Sequence, residues 1–96
     1  MPQVFVDMAA LAALCRRRRI RRLSLFGSTL KGLARPDSDV DLLVELESGL
    51  LGMAALELEL SPLLGGRKAD VRTSQDLSWY FREEVERTAE IQYEAG

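Results

Sequence analysis

The chain has 96 residues, of which 47% are hydrophobic, and its 13 Lys plus Arg against 15 Asp plus Glu give a formal net charge of −2. A chain of this length predicts one small domain, residues 1–96, because domains near this size bury only about 60 to 70% of their unfolded surface. It leaves no room for a separate substrate-binding domain, and its charge argues against a general nucleic-acid-binding surface.

Histidine is absent, and Cys15 is the single cysteine. These two facts exclude histidine acid–base catalysis, zinc sites of the usual Cys/His kind and an internal disulfide framework. No apolar stretch approaches the roughly 20 residues that a bilayer span needs, and no basic and apolar leader opens the chain. We therefore expect a cytoplasmic protein that makes no membrane contact.

The first half of the chain predicts a helix, a strand, one helical turn and a second strand. Met8–Arg19 has apolar residues at helical spacing and ends in arginines, which suit a helix C-terminus. Ile20–Phe26 predicts a strand ended by Gly27, and Thr29–Lys31 predicts a single helical turn. Asp39–Leu46 contains a continuous apolar run, which predicts a strand covered on both faces.

The second half predicts a helix, a third strand and a last helix. Residues 56–60 alternate as a strand would, but the wider segment from Met53 favours a helix because Ala and Leu dominate it. Lys68–Thr73 predicts the strand, and a helix is expected from Ser78, as N-cap, to about Tyr93. The order α-β-α-β-α-β-α predicts an α/β (α+β) fold with a small mixed three-stranded sheet flanked by helices.

Residues 27–41, GSTLKGLARPDSDVD, contain the most informative pattern of the chain. Asp39 and Asp41 stand at positions i and i+2, so their side chains point to the same face of a strand, about 6.5 Å apart along it. Paired carboxylates suit hard cations, and the turn at Gly27 and Ser28 offers backbone N–H groups to phosphate. Singly, these residues are ordinary caps or strand-end carboxylates. Together they indicate a metal-nucleotide site, because two aspartates leading a buried strand need neutralising cations.

Residues 25–46, LFGSTLKGLARPDSDVDLLVEL, with Asp70 on a later strand, resemble the minimal nucleotidyltransferase (MNT) family of the DNA polymerase β-like superfamily. The resemblance implies transfer of a nucleoside monophosphate from a triphosphate to an acceptor hydroxyl, with pyrophosphate leaving and two Mg²⁺ ions as cofactors. It also implies roles for three residues. Asp39 and Asp41 would bridge the ions, and Asp70 would hold the catalytic ion and orient or deprotonate the hydroxyl.

The resemblance further implies a set of nucleotide contacts. Ser28 and the N–H groups after Gly27 would bind the β- and γ-phosphates at a helix N-terminus. Lys31 stands where the family usually has arginine, so its contact would be a point charge rather than a bidentate fork. Arg72 would share a strand face with Asp70. It would either pair with Asp70 and reduce its metal affinity or bind the triphosphate.

We expect an enzyme that uses ATP and Mg²⁺ to place AMP on a hydroxyl of a partner protein. Chains of this size resemble the antitoxins of two-gene modules whose other half is a helical HEPN-domain protein. The alternative is a catalytically impaired antitoxin that neutralises its partner by contact. A small-molecule, aminoglycoside-type nucleotidyltransferase is disfavoured, because those enzymes resemble this chain only around the motif and carry an added domain. The sequence does not decide whether the chain forms a homo-oligomer.

Two surface features complete the sequence-based predictions. The basic run of residues 16–22 is short and contains no aromatic residue to stack on bases. It therefore indicates a solvated face or a protein contact rather than direct nucleic-acid binding. Trp79 lies off the apolar stripe of the last helix and is the candidate for a contact with the partner.

Overall fold

A computed structural model describes residues 4–27, 39–47 and 52–95, except for the side chain of Phe81. The elements within these ranges are α1 (Met8–Arg17), β1 (Ile20–Phe26), β2 (Val40–Leu46), α2 (Met53–Leu63), β3 (Ala69–Arg72), a short 3-10 helix (Ser74–Asp76), α3 (Trp79–Thr88) and β4 (Glu90–Glu94). The helical turn predicted at residues 29–31 lies outside the described residues. No helix in the described ranges is long and apolar enough to cross a membrane.

The strands form one mixed sheet in the order β3-β2-β1-β4. β1 is antiparallel to both of its neighbours, whereas β2 and β3 run parallel to each other. In this register Asp41 lies opposite Phe26 of β1 on one side and opposite Asp70 of β3 on the other. The sheet therefore joins residues far apart in the chain at one place near the start of β2.

One face of the sheet packs against α1 and α2. Along β2 the alternate residues Val40, Leu42 and Val44 are buried on this face, as strand alternation requires. Buried residues from the two helices complete the core: Leu11, Leu14 and Cys15 of α1, and Leu56 and Leu60 of α2. Burial raises the pKa of the Cys15 thiol to about 12, which keeps it protonated as a core side chain.

The predicted last helix is wrong in its second half. α3 ends at Thr88, and Glu90–Glu94 forms a fourth strand beside β1. The sheet is therefore four-stranded rather than three-stranded. The physical reason is long-range: β4 pairs with the second edge of β1 and satisfies its backbone groups, a gain that local helical spacing does not reveal. Tyr93 of β4 also packs against the core.

The other elements predicted within the described residues are present, β1 with its predicted bounds and the rest shortened at one or both ends. The ambiguous segment from Met53 is helical, as predicted. α1 ends two residues early because Arg19 adopts a left-handed conformation, φ 57°, which stops a helix. β2 is not covered on both faces, because Leu43 is only half-buried and Glu45 is exposed. This second face of the sheet is the one that carries the polar residues.

The basic run is largely occupied by contacts within the chain. Arg17 and Arg18 both donate hydrogen bonds to the Glu59 carboxylate of α2, the first at 2.9 Å. Arg22 donates to Glu94 of β4 at 2.9 Å. These ion pairs tie α1 to α2 and β1 to β4, so much of the positive charge of this run is neutralised internally.

The Glu59 contacts predict a pH-dependent stability. Hydrogen bonds from Arg18, then from Arg17, lower the pKa of Glu59 from its usual 4.5 to about 2. Because the folded-state pKa is depressed, this stabilisation is present above pH 4.5 and is lost as pH falls toward 2. Glu59→Gln should lower the melting temperature at pH 7 and flatten its fall between pH 4.5 and 2. Thermal unfolding across that range measures both, with Glu83→Gln on exposed α3 as control. Equal pH profiles for the two variants would contradict the assignment.

Candidate active site

Three aspartates lie on the face of the sheet opposite α1 and α2, which we call the aspartate face. It is defined by Asp41 and Leu43 of β2 and by Asp70 of β3. The parallel register of β2 and β3 sets Asp41 beside Asp70. Strand alternation places Asp39, just before β2, on the same side as Asp41 because the intervening Val40 is buried. The sheet thus brings the aspartate pair and the distant aspartate to one place.

The electrostatics of this cluster are unfavourable for the chain alone. Burial, and next the Asp70 carboxylate, raise the pKa of Asp41, and Asp39 adds to the effect. Arg72 acts in the opposite direction and lowers that pKa, but burial and the neighbouring carboxylates outweigh it. Carboxylates crowded in this way are stabilised as anions when cations are placed among them.

Arg72 lies on the same side of β3 as Asp70, as the alternation of that strand requires. Its guanidinium Nη2 donates a hydrogen bond to Asp70 Oδ2 at 3.3 Å. Both side chains are partly exposed, 47% for Arg72 and 31% for Asp70, so solvent screens the pair. Asp70 is therefore held by a contact that a bound polyanion could replace.

Gly27 touches the aspartate cluster from the end of β1. Its φ of 79° lies in the left-handed region, which glycine adopts without strain. A Cβ at this position would overlap Asp41 Oδ2 and lie 3.0 Å from its Cγ. Glycine is thus needed to leave room for the Asp41 carboxylate, in addition to the phosphate role that the sequence predicts. Ser28 and Lys31, the other two predicted phosphate contacts, lie outside the described residues.

The donor set of the cluster fits Mg²⁺. Across residues 4–27, 39–47 and 52–95, no three acidic, histidine or cysteine side chains already form a metal cluster. Mg²⁺ does not require one, because it is usually bound by one or two carboxylates together with substrate phosphates. Asp39 and Asp41 offer such oxygens, and a cation would oppose both causes of the raised pKa of Asp41, first its burial and then the neighbouring carboxylates.

Comparison with known proteins agrees with this geometry. The nucleotidyltransferase domain family matches residues 8–93, which is most of the chain. The chain belongs to the nucleotidyltransferase domain family. A solved structure described as a minimal nucleotidyltransferase is 43% identical to it, covers 85% of each chain and superposes with a TM-score of 0.67.

Toxin–antitoxin crystal structures share the fold of this nucleotidyltransferase domain. One, solved with AMP-PNP, is 18% identical and covers 94% of this chain and 75% of that one, with a TM-score of 0.71. An MntA–HepT complex is also 18% identical and covers 92% of this chain and 70% of that one, with a TM-score of 0.62. At these identities the likeness concerns the fold.

A curated relative gives the most specific sequence match. The protein adenylyltransferase MntA of Thermococcus cleftensis is 46% identical over 50 residues. The match spans half of this chain and half the length of that relative. The activity, substrate and partners of the whole relative therefore remain proposals for this chain.

Sequence reasoning missed one part of the nucleotidyltransferase surface. Because the last helix was predicted to run to Tyr93, neither β4 nor the space beneath α3 was expected. The period-two alternation of Ile91 and Tyr93 was the available signal. It marks a strand, and that strand places Ile91 opposite Ser24 of β1.

The close approach of Gly27 to Asp41 predicts an effect of substitution on nucleotide binding that is distinct from its effect on stability. Gly27→Ala should displace the Asp41 carboxylate, whereas Gly66→Ala is a matched control whose Cβ meets nothing within 4 Å at a φ of 88°. Both substitutions strain a left-handed residue and should cost about 1 kcal/mol of stability. Only Gly27→Ala should also weaken Mg²⁺-dependent binding of AMP-PNP, by about tenfold or more. Calorimetric titration and thermal unfolding measure the two effects, and equal AMP-PNP affinities would refute the role of Gly27.

Proposed function

We propose that the chain transfers AMP from ATP to a hydroxyl group of a partner protein and that this transfer depends on Mg²⁺. The observation that carries the proposal is the placement of Asp41 beside Asp70, with Gly27 packed directly against Asp41. Membership of the nucleotidyltransferase domain family and the likeness to a protein adenylyltransferase support the same reaction.

The proposed site residues divide into those that would hold the metal ions and those that would contact the phosphates. Asp39, Asp41 and Asp70 would hold two Mg²⁺ ions, which when bound stabilise the attacking and leaving oxygens of an in-line displacement. Asp70 would also orient the acceptor hydroxyl and accept its proton. The cross-strand register of Asp41 and Asp70, with Asp39 two residues before Asp41, supports the metal role.

The proposed phosphate contacts begin at Gly27, the residue that follows β1. Ser28, Lys31 and the backbone N–H groups that follow Gly27 would bind the β- and γ-phosphates. Arg72 would also contact the triphosphate, by giving up its hydrogen bond to Asp70. Its side chain is 47% exposed, and that hydrogen bond is long at 3.3 Å. In the same step Asp70 would become available to Mg²⁺.

The acceptor is proposed to belong to a helical HEPN-domain protein in a toxin–antitoxin pair. Structures of toxin–antitoxin complexes, one of them with AMP-PNP, share the fold of this chain. A partner protein would supply both the hydroxyl and the surface that presents it.

A second candidate function is neutralisation of the partner by contact alone. The Arg72–Asp70 ion pair favours it, because a guanidinium that stays on Asp70 would compete with Mg²⁺. The left-handed turn at Gly27, which brings the backbone close to the Asp41 carboxylate, favours the enzyme, since a binding protein would not need that close approach. The two functions differ in what happens to the partner when the aspartates are changed.

The test is the mass of the partner after incubation with ATP and Mg²⁺. The unaltered chain should add a nucleotidyl group, and Asp39→Asn with Asp41→Asn should reduce the rate by about two to three orders of magnitude. Asp7→Asn is the matched control, because Asp7 caps α1 away from the site and asparagine caps equally well. A partner that gains no mass from the unaltered chain, yet is inhibited equally by the double variant, would replace the enzyme with the contact antitoxin.

A further inference from the structure

A cavity of about 780 Å³ lies between the aspartate face of the sheet and α3. It exists because the chain crosses this face between β3 and β4, the two edge strands of the sheet. Leu43 of β2 and Ile91 of β4 line it with apolar surface, while Arg22, Glu86 and Arg87 contribute charge. None of these residues is proposed to hold the metal ions or to contact the phosphates.

The far wall of the cavity is held in place by hydrogen bonds. Thr73 forms a reciprocal cap with Asp76, whose carboxylate accepts from the Thr73 N–H at 3.0 Å. Ser74 donates from its hydroxyl to Glu86 of α3 at 2.8 Å. These hydrogen bonds link the end of β3 to the last turn of α3. They therefore fix the position of the cavity wall.

Asp41 lies between this cavity and the phosphate-binding turn. Phe26 pairs with Asp41, so Gly27, which follows Phe26, lies beyond Asp41 toward the start of β2. In the opposite direction Leu43 is the next residue of β2 on the same face, about 6.5 Å further along the strand. The phosphate turn and the cavity are therefore on opposite sides of the Asp41 carboxylate, which would hold the metal ions.

In-line displacement requires the same arrangement of the reactants. The attacking and leaving oxygens stand on opposite sides of the phosphorus atom. If the β- and γ-phosphates lie at Gly27, the acceptor must approach from the side of Leu43. We propose that the cavity beneath α3 is the acceptor site and that it receives the hydroxyl-bearing segment of the partner protein, an inference that rests on the proposed function.

ATP, the acceptor hydroxyl and Asp70 account for every bond and proton of the transfer. The acceptor oxygen forms a bond to the α-phosphorus, and the bond between that phosphorus and the bridging oxygen breaks. Pyrophosphate leaves with the electron pair of the broken bond. The hydroxyl proton passes to the Asp70 carboxylate, which lies beside Asp41 at the cavity end of the cluster.

The lining also defines the chemistry of the acceptor segment. Leu43 and Ile91 offer apolar surface, and Ile91 is 49% exposed without the partner. Arg22 is engaged by Glu94, whereas the structure records no ion pair between Arg87 and any described residue. A segment that carries an apolar residue and an acidic residue near its hydroxyl complements this surface.

The test separates binding of the partner from binding of the nucleotide. Ile91→Arg fills the cavity from an exposed edge position, and Arg87→Glu reverses the charge of its rim. Leu58→Arg is the matched control, because Leu58 is 76% exposed on α2 at the other face of the sheet. Each variant is measured for kcat/KM toward the partner and for AMP-PNP affinity by calorimetry, alongside thermal unfolding.

We expect Ile91→Arg and Arg87→Glu each to lower kcat/KM for the partner by about tenfold or more, because the first obstructs the cavity and the second repels an acidic residue of the segment. Their AMP-PNP affinity should stay within about twofold of the unaltered chain, and Leu58→Arg should change neither. Unchanged transfer by both variants would overturn the acceptor assignment alone. An equal loss of AMP-PNP affinity would instead assign the cavity to the nucleoside. No transfer by the unaltered chain would overturn the proposed function, and the acceptor site with it.

Discussion

The site depends on one lateral pairing, that of Asp41 with Asp70 across the parallel strands β2 and β3. Two carboxylates side by side repel each other, and partial burial increases the cost of keeping both charged. Among the described residues, Arg72 opposes this cost, because its guanidinium lies 3.3 Å from Asp70 and lowers the pKa of Asp41. We propose that this pair is arranged for cations and phosphates rather than for the stability of the chain alone.

The rest of the fold supports that pairing. α1 and α2 cover one face of the sheet, so the buried residues of β2 fix which of its side chains turn to the other face. The left-handed Gly27 ends β1 against Asp41 and admits the carboxylate. The crossover from β3 to β4 then carries α3 over the aspartate face and leaves the cavity beside it. The proposed phosphate, metal and acceptor positions thus follow one another, in that order, along the direction of β2.

The sequence predicted those features that depend on local order. The spacing of Asp39 and Asp41, the parity of Asp70 with Arg72 and the strand limits of residues 20–26 all follow from alternation within a strand. It did not predict β4, because residues 90–94 gain their stability from pairing with a strand nearly seventy residues earlier in the chain. For the same reason the cavity, whose walls come from three strands and α3, had no signature in any single segment. The Glu59 contacts of the basic run were likewise invisible until α1 and α2 were brought together.

We propose that the aspartate face holds divalent cations together with the triphosphate. A crystal structure of the chain with AMP-PNP and Mn²⁺ would reveal these ions, because Mn²⁺ accepts the same oxygen ligands as Mg²⁺ and its anomalous scattering locates it. We expect Mn²⁺ bound to carboxylate oxygens of Asp39 and Asp41, with the Arg72 guanidinium moved from Asp70 to the phosphates. Bound AMP-PNP with no Mn²⁺ at Asp41, and with Arg72 still on Asp70, would contradict it.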